Sequence, residues 1–213
     1  KNYADICLKN NISPESVIVT ATEASRVAKN SQDFFRQIES DYGFKVKIIT
    51  GEAEAYYSTI GVLADKNIED EIITIMDIGG ASTELIKVNT KSKEILESFS
   101  MPIGVVRLNN WQSKGSREQE STRVFTDFAD RLNHVQCSKL YCVAGTMTSI
   151  GNMHLGHKKF IEDSVHGLNI SFQDILKLRE EFKSKEPEDI LERFPFLGKR
   201  AQTINSGLYL AES

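Results

Sequence analysis

The order of strand-like and helix-like segments constrains the fold of this chain more than any other feature of its sequence. Short apolar runs typical of buried strands alternate with stretches in which apolar residues recur at helical spacing. Strand, helix, strand and helix in succession are typical of parallel α/β architecture. In chain order the segments are a strand at 17–22, a helix capped by Asn30 or Ser31 and stopped at Gly43, a strand at 44–49 and a helix from Gly51 to about Leu63.

A different pattern begins near residue 70, where three predicted strands follow one another without a helix between them. They cover 71–77, 82–88 and 93–101, and they indicate a β-meander. We therefore expect two domains, residues 1–66 and residues 67–213, with the polar stretch 65–70 as their linker. The remaining predicted elements are a helix at 118–135, a strand at 140–144 and helices at 146–155, 172–182, 187–197 and 199–213.

Composition limits the classes of partner. Of the 213 residues, 40% are hydrophobic, which is enough for a substantial core. The net charge of −4 and the pI near 5.7 argue against a dedicated binder of DNA or of membrane surfaces. The sequence contains no run of about 18 apolar residues, so it predicts no membrane span. Its three cysteines lack C-x-x-C spacing and suggest reduced thiols in a cytoplasmic protein.

The turn between the first two strands of the meander contains Gly79 and Gly80, where a positive φ is usually required. Without Cβ atoms, these glycines let backbone N–H groups approach and cradle a phosphate. Ser82 adds a hydroxyl, and Asp77 at the strand end could hold a metal ion or its water. Glu84 points to the same side of the sheet as Ser82. An ordinary tight hairpin is the alternative, but the flanking acids and the hydroxyl favour a phosphate-binding turn.

A second candidate anion site lies where the strand at 140–144 meets the following helix. Gly145, Thr146 and Thr148 stand at this junction. A helix N-terminus offers unpaired N–H groups and a positive dipole end, and the threonines could donate hydroxyls. Thr146 could equally serve only as the cap of the helix.

Two charged residues in the first part of the chain are further candidates. Glu54 stands in the first turn of its helix and shares a face with Ser58 and Gly61, whose small side chains leave room for a substrate or a water. An acid in a first turn often only complements the helix dipole, and that interpretation suits Glu52. Arg26 follows the first strand, where open α/β sheets place ligand contacts, although a surface arginine is the commoner case.

Five stretches together resemble the exopolyphosphatases and guanosine pentaphosphate phosphohydrolases, the Ppx/GppA family of the actin-like (ASKHA) superfamily. The match covers nearly the whole chain, and its order and spacing are specific. The five stretches are 20–26 (TATEASR), 49–55 (ITGEAEA), 77–85 (DIGGASTEL), 101–108 (MPIGVVRL) and 144–148 (AGTMT), with weaker matches at 165–168 (VHGL) and 199–201 (KRA).

The resemblance implies an α/β, actin-like (ribonuclease H-like) fold with its active site in a cleft between two domains. It also implies Mg²⁺-dependent release of terminal phosphate from inorganic polyphosphate or pppGpp, and a possible homodimer. The implied roles are a general base for Glu54, a phosphate ligand for Arg26, a phosphate loop for Gly79, Gly80, Ala81 and Ser82, a second loop for Gly145, Thr146 and Thr148, and a magnesium site near Asp77 and Glu84.

Some positions depart from the family pattern. The family usually has a third glycine at Ala81, often an acid at Ala53, and an Asp at Gln202. It also begins with an Asp-x-Gly-Ser turn, the first phosphate loop, and nothing here matches it. We therefore expect a partial first domain followed by the second domain, and weak or no activity for these 213 residues alone.

Three functions stay open at the level of sequence. The leading hypothesis is hydrolysis of a phosphate chain, and the sequence does not decide whether the substrate is polyphosphate or pppGpp. Phosphoryl transfer to a sugar or acetate is the second, but kinases of this fold lack the pair of motifs around Arg26 and Glu54. The third is a non-catalytic module that binds polyphosphate or a nucleotide, which the Ala53 and Ala81 departures leave possible.

Overall fold

The computed structural model describes residues 2–65 and 68–213, and the chain divides into two compact units, Lys1–Glu54 and Ala55–Ser213. The expected domain boundary, between residues 66 and 67, lies outside the described residues. The helices are α1 (Asn2–Lys9), α2 (Glu23–Val27), α3 (Ser31–Tyr42), α4 (Gly51–Leu63), α5 (Val105–Ser113), α6 (Arg117–Asp127), α7 (Ala129–His134), α8 (Ala144–His154), α9 (Phe172–Phe182), α10 (Pro187–Arg193) and α11 (Ile204–Glu212). The strands are β1 (Val19–Ala21), β2 (Val46–Ile48), β3 (Ile72–Ile78), β4 (Thr83–Asn89), β5 (Ile95–Met101) and β6 (Leu140–Val143).

The first unit contains two short strands, which pair in parallel with Val19 opposite Val46. Between them, α3 ends at Gly43, whose φ of 77° is the left-handed conformation that glycine adopts without a steric penalty. The predicted order of strand, helix, strand and helix is confirmed, although both strands are shorter than the apolar runs that predicted them. Among residues 2–54, which the structure describes, few side chains are buried, namely Cys7, Phe44 and Ile49.

The second unit contains a four-stranded sheet in the order β5-β4-β3-β6. The predicted meander is confirmed, because β3, β4 and β5 pair antiparallel in sequence. The predicted strand at 140–144 becomes β6, which lies parallel to β3 with Asp77 opposite Val143. A helix begins directly after β6, so the end of β3 and the start of α8 lie at the same edge of the sheet.

Alternate residues of the sheet fill two different cores, as the two-residue period of a strand requires. One face packs against α5, α6 and α11 through residues that include Met76, Leu85 and Phe99. The opposite face carries Ile75 and Ile86 and packs against α4. A third cluster joins α8 to the C-terminal helices; its buried members are Ile150, Met153, Ile175, Leu178, Phe182, Ile190, Phe194, Leu197, Ala201, Ile204 and Leu208.

Some helices differ from the prediction. The helix expected at 118–135 is two helices, because the chain leaves helical geometry at Phe128, where the ring stacks on Phe99 with centroids 5.7 Å apart. The short helices α1 and α2 were not predicted, and neither was α5, whose polar residues obscure its apolar periodicity. Among the described helices, none is both long and apolar enough to cross a membrane.

Candidate active site

The turn between β3 and β4 is closed by the amide of Gly79, which donates to the carbonyl of Ser82 at 3.0 Å. The first turn of α5 docks on the outside of this turn. Val105 donates its amide to Gly79 O at 3.0 Å, and Val106 donates to Gly80 O at 2.8 Å. The two glycine carbonyls are therefore engaged by α5. Within the described part of the chain, the amides of Gly80 and Ala81 have no hydrogen-bond acceptor.

The steric reason for glycine in this turn differs from the one expected. Gly79 and Gly80 do not have positive φ, so that part of the prediction was wrong. A Cβ on Gly80 would lie 3.5 Å from Val106 Cγ2, an ordinary contact, whereas one on Gly79 would lie 3.1 Å from Ser82 O. Gly104 is the most restricted position, since its Cβ would lie 2.6 Å from Gly80 C. Sequence reasoning gave Gly104 no role, although it stands within the matched stretch 101–108.

The two carboxylates that flank the turn share one face of the sheet. Asp77 and Glu84 are directly opposite each other on β3 and β4, which places their Cβ atoms about 5 Å apart. Glu84 is only 4% exposed and accepts a hydrogen bond of 2.6 Å from Ser100 Oγ. In residues 2–65 and 68–213, no group of three or more His, Cys, Asp or Glu side chains is arranged to hold a metal ion.

The start of α8 lies beside the same end of the sheet. Thr146 donates its hydroxyl to Ile78 O at 3.0 Å, and no side chain caps the helix, so Thr146 is not its cap. Ala144 has a φ of 67°, an uncommon conformation for a residue with a Cβ. Gly145 lies against Arg200, because a Cβ on Gly145 would be 2.6 Å from Arg200 Nη2. The structure thus places an exposed cation, Arg200, beside this loop. The matched stretch 199–201 contains Arg200, but the sequence predicted no role for it.

Thr148 lies one turn further along α8. Its hydroxyl donates to Ala144 O at 3.2 Å, and its side chain lines a cleft of about 800 Å³. The other walls of this cleft include Cys142 of β6 and Ile175 of α9. Thr148 therefore borders a different surface feature from the Gly79–Ser82 turn, and its role as a phosphate ligand stays a prediction.

The first unit brings Arg26 and Glu54 together. Arg26 stands near the end of α2 and Glu54 in the first turn of α4, and their side chains are joined by an ion pair of 3.2 Å. Both side chains are about one-fifth exposed, with Arg26 at 22% and Glu54 at 20%. Arg26 also donates to Ile49 O at 2.7 Å, which ties the guanidinium to the end of β2. A pairing between two residues that are 28 positions apart is not visible in the sequence alone.

Glu52, two residues before Glu54, has mainly local interactions, and the charge of Arg26 makes the smallest contribution. A hydrogen bond to its own backbone and one to Thr50 lower the pKa of its fully exposed carboxyl below the usual value. These are the interactions expected of an acid in the first turn of a helix. Glu52 therefore differs from Glu54, which pairs with a distant arginine.

The mixed α/β architecture is that of solved actin-like proteins. An Aquifex aeolicus member of the Ppx/GppA family superposes with a TM-score of 0.73 at 26% identity, over 99% of this chain and 70% of that chain. An exopolyphosphatase from Cytophaga hutchinsonii has a TM-score of 0.73 at 22% identity, over the same shares of the two chains, and supports the fold alone.

The sequence comparisons agree. The model of the Ppx/GppA phosphatase family matches residues 1–213, and the chain belongs to that family. A bifunctional 3-dehydroquinate synthase/phosphatase from Fusobacterium nucleatum subsp. nucleatum is 29% identical over 192 residues. This alignment covers 82% of the chain and only 28% of the length of the Fusobacterium protein.

Proposed function

We propose that the protein carrying this chain removes the terminal phosphate from a phosphate chain, either inorganic polyphosphate or pppGpp. The observation that carries the proposal is the pair of amides in the turn between β3 and β4. The amides of Gly80 and Ala81 have no acceptor in the described part of the chain, while the carbonyls of Gly79 and Gly80 are held by α5. Backbone N–H groups fixed in this way form a nest that suits the oxygens of a phosphoryl group.

The second anion-binding element is the start of α8. The N-terminal amides of that helix carry a partial positive charge, and the guanidinium of Arg200 lies against Gly145. Thr146 ties this loop to β3 through its bond to Ile78 O. The two loops are therefore linked within one compact unit, and each offers hydrogen-bond donors to phosphoryl oxygens.

Glu54 is the proposed general base. Hydrolysis requires a group that takes a proton from the attacking water as its oxygen bonds to phosphorus and the bond to the bridging oxygen breaks. The released bridging oxygen leaves on the shortened phosphate chain. A carboxylate paired with Arg26 and one-fifth exposed is reachable by water. Removal of a terminal phosphoryl group otherwise needs mainly positioning and charge neutralisation. Each unit offers donors for this, Arg26 in the first unit and the turn amides with Arg200 in the second.

Asp77 and Glu84 fit a magnesium ion by their chemistry. Mg²⁺ is commonly bound by one or two carboxylates together with oxygens of the substrate phosphates, and these two carboxylates face each other across β3 and β4. When bound, such an ion would neutralise charge on the phosphate chain. Ser100 fixes the orientation of Glu84 through its 2.6 Å hydrogen bond.

Phosphate release from each substrate tests the proposal. The longest natural chain that contains this sequence is assayed with polyphosphate and with pppGpp, and kcat/KM is compared between them. We expect Glu54→Gln to lower kcat by about 10²-fold or more, because the attacking water loses its base.

Glu52→Gln is the matched control, since it changes the same charge two residues earlier on the same helix, and we expect its kcat to stay within about twofold of the wild type. Full activity of Glu54→Gln would show that another group is the base. Tight binding of both substrates without turnover by the wild-type protein would favour a non-catalytic binding module.

A further inference from the structure

The guanidinium of Arg26 is shared between two carboxylates. Glu23 Oε2 lies 3.4 Å from Arg26 Nε and 3.2 Å from Nη2. Glu54 Oε2 lies 3.2 Å from Nη1 and 3.2 Å from Nη2. The remaining contact is the 2.7 Å hydrogen bond from Nη1 to Ile49 O. The guanidinium has two edges that each present a pair of N–H donors, and a different carboxylate occupies each edge.

The two acids differ in how they reach Arg26. Glu23 is three residues earlier on the same short helix, so its carboxylate stays near the arginine whatever α4 does. Glu54 and Ile49 come from α4 and the end of β2, and they hold the side of the guanidinium that contains Nη1. Glu23 therefore holds the edge formed by Nε and Nη2. Of the guanidinium nitrogens, Nη2 is the one that contacts both acids.

A phosphoryl group binds a guanidinium most strongly through two parallel N–H donors, as a carboxylate does. The edge formed by Nε and Nη2 provides such a fork, and in this structure Glu23 occupies it. Glu23 is 20% exposed, so its carboxylate can exchange this edge for water without burying a charge. The negative charges of Glu23 and Glu54 also weaken the electrostatic attraction between Arg26 and an anion.

We propose that Glu23 is a competing internal ligand that occupies the phosphate-binding edge of Arg26 and must be displaced by the phosphoryl group. This inference rests on the proposed function, in which Arg26 contacts the substrate. Glu54 and Ile49 keep Arg26 in place while the exchange occurs. Glu23 therefore lowers the affinity of this edge for phosphoryl ligands in general, including released orthophosphate.

Titration of the 213-residue chain with tripolyphosphate tests the inference without any turnover. The Nε–Hε resonance of Arg26, identified by its loss in Arg26→Gln, is followed in ¹H–¹⁵N spectra of the wild type and of Glu23→Gln. We expect Glu23→Gln to bind tripolyphosphate roughly threefold to tenfold more tightly at Arg26, because a competing charge has been removed.

Two variants serve as controls. Glu39→Gln makes the same charge change on α3, where Glu39 is exposed, and we expect at most a small gain from the altered net charge. Glu23→Asp keeps the charge on a shorter side chain and should give an intermediate affinity, which also preserves the test if Glu23→Gln does not fold. The inference would be overturned if Glu23→Gln bound tripolyphosphate no more tightly than Glu39→Gln does, or if neither variant bound it.

Kinetics of the natural protein separate this inference from the proposed function. If hydrolysis occurs, we expect Glu23→Gln to lower KM and the inhibition constant of orthophosphate by about the same factor, an effect that a purely structural role would not produce. Hydrolysis with an unchanged KM and an unchanged inhibition constant would contradict the role of Glu23 alone. Absence of hydrolysis, together with tighter binding by Glu23→Gln, would contradict only the proposed function.

Discussion

The two compact units hold their candidate functional groups by different physical means. In residues 55–213, the turn that contains Gly79 and Gly80 is fixed by close backbone contacts, with Gly104 packed against it and three buried clusters behind it. In residues 1–54, few side chains are buried, and Arg26 is held between Glu23 and Glu54 by charge and hydrogen bonds. The comparison indicates that packing fixes the turn between β3 and β4, while exchangeable ion pairs position Glu54, the proposed base.

The largest expected effect is the removal of a core side chain from the second unit. Phe194 is fully buried and its ring centroid lies 5.7 Å from that of Phe182. We expect Phe194→Ala to destabilise this unit by about 3–5 kcal/mol. Urea unfolding followed by the fluorescence of Trp111, which is the single tryptophan of the chain and lies in this unit, measures the loss.

The matched substitution in the first unit is Phe44→Ala, at a residue that is 7% exposed. Its effect should be confined to residues 1–54, so the Trp111 transition should keep its midpoint. A large shift of that transition in Phe44→Ala would show that the two units do not unfold independently, and it would break the comparison.

A smaller effect is expected from a methyl group at Gly104, which packs against the turn between β3 and β4. In Gly104→Ala the new Cβ would approach Gly80 C at 2.6 Å, and the backbone must move to relieve the contact. We expect a loss of about 1–3 kcal/mol in the same urea experiment. Gly80→Ala is the control, because its Cβ has only an ordinary contact at 3.5 Å, and its midpoint should change little. Equal losses in both variants would refute the steric role of Gly104.

The ion pairs of the first unit should contribute less to stability than packing does. The side chains of Arg26, Glu23 and Glu54 are each about one-fifth exposed, so solvent screens their charges. We expect Arg26→Gln to destabilise the first unit by about 1 kcal/mol or less, seen as faster hydrogen exchange in β1, β2 and the start of α4. Arg36→Gln, which breaks an exposed pair with Asp33, should leave that exchange unchanged. If Arg26→Gln lowered the stability of the first unit by several kcal/mol, the ion pairs would contribute to stability as much as packing does.

The smallest effect concerns reactivity without any change in stability. Burial, with a smaller contribution from Cys137, raises the pKa of the Cys142 thiol to about 11. Because the thiolate is the reactive form, Cys142 should resist iodoacetamide near pH 8 and react faster as the pH rises towards 11. The exposed Cys137 should react first, as mass spectrometry of the modified peptides can show. Equal rates near pH 8 would contradict the close packing of β6.

Much of the fold could be predicted because its signals are local. Gly43 marks the end of α3 because glycine adopts the left-handed conformation at this position without a steric penalty. The apolar runs at 71–77 and 82–88 predicted two strands with a turn between them, and the structure has β3 and β4 there. The helix break at Phe128 and the unpredicted α5 depend instead on what packs against them.

For the candidate site, the sequence by itself determined which residue types stand at each position and, through the two-residue period of strands, predicted that Glu84 points to the same side as Ser82. That Asp77 lies opposite Glu84 depends on the pairing register of β3 and β4. The sequence did not determine why glycine is needed near the turn. Only the tertiary structure shows Gly104 against Gly80, Arg200 against Gly145, and Arg26 between Glu23 and Glu54. Periodicity records interactions between near neighbours in the chain, whereas these contacts mostly join segments far apart, whose approach is decided by how the elements pack.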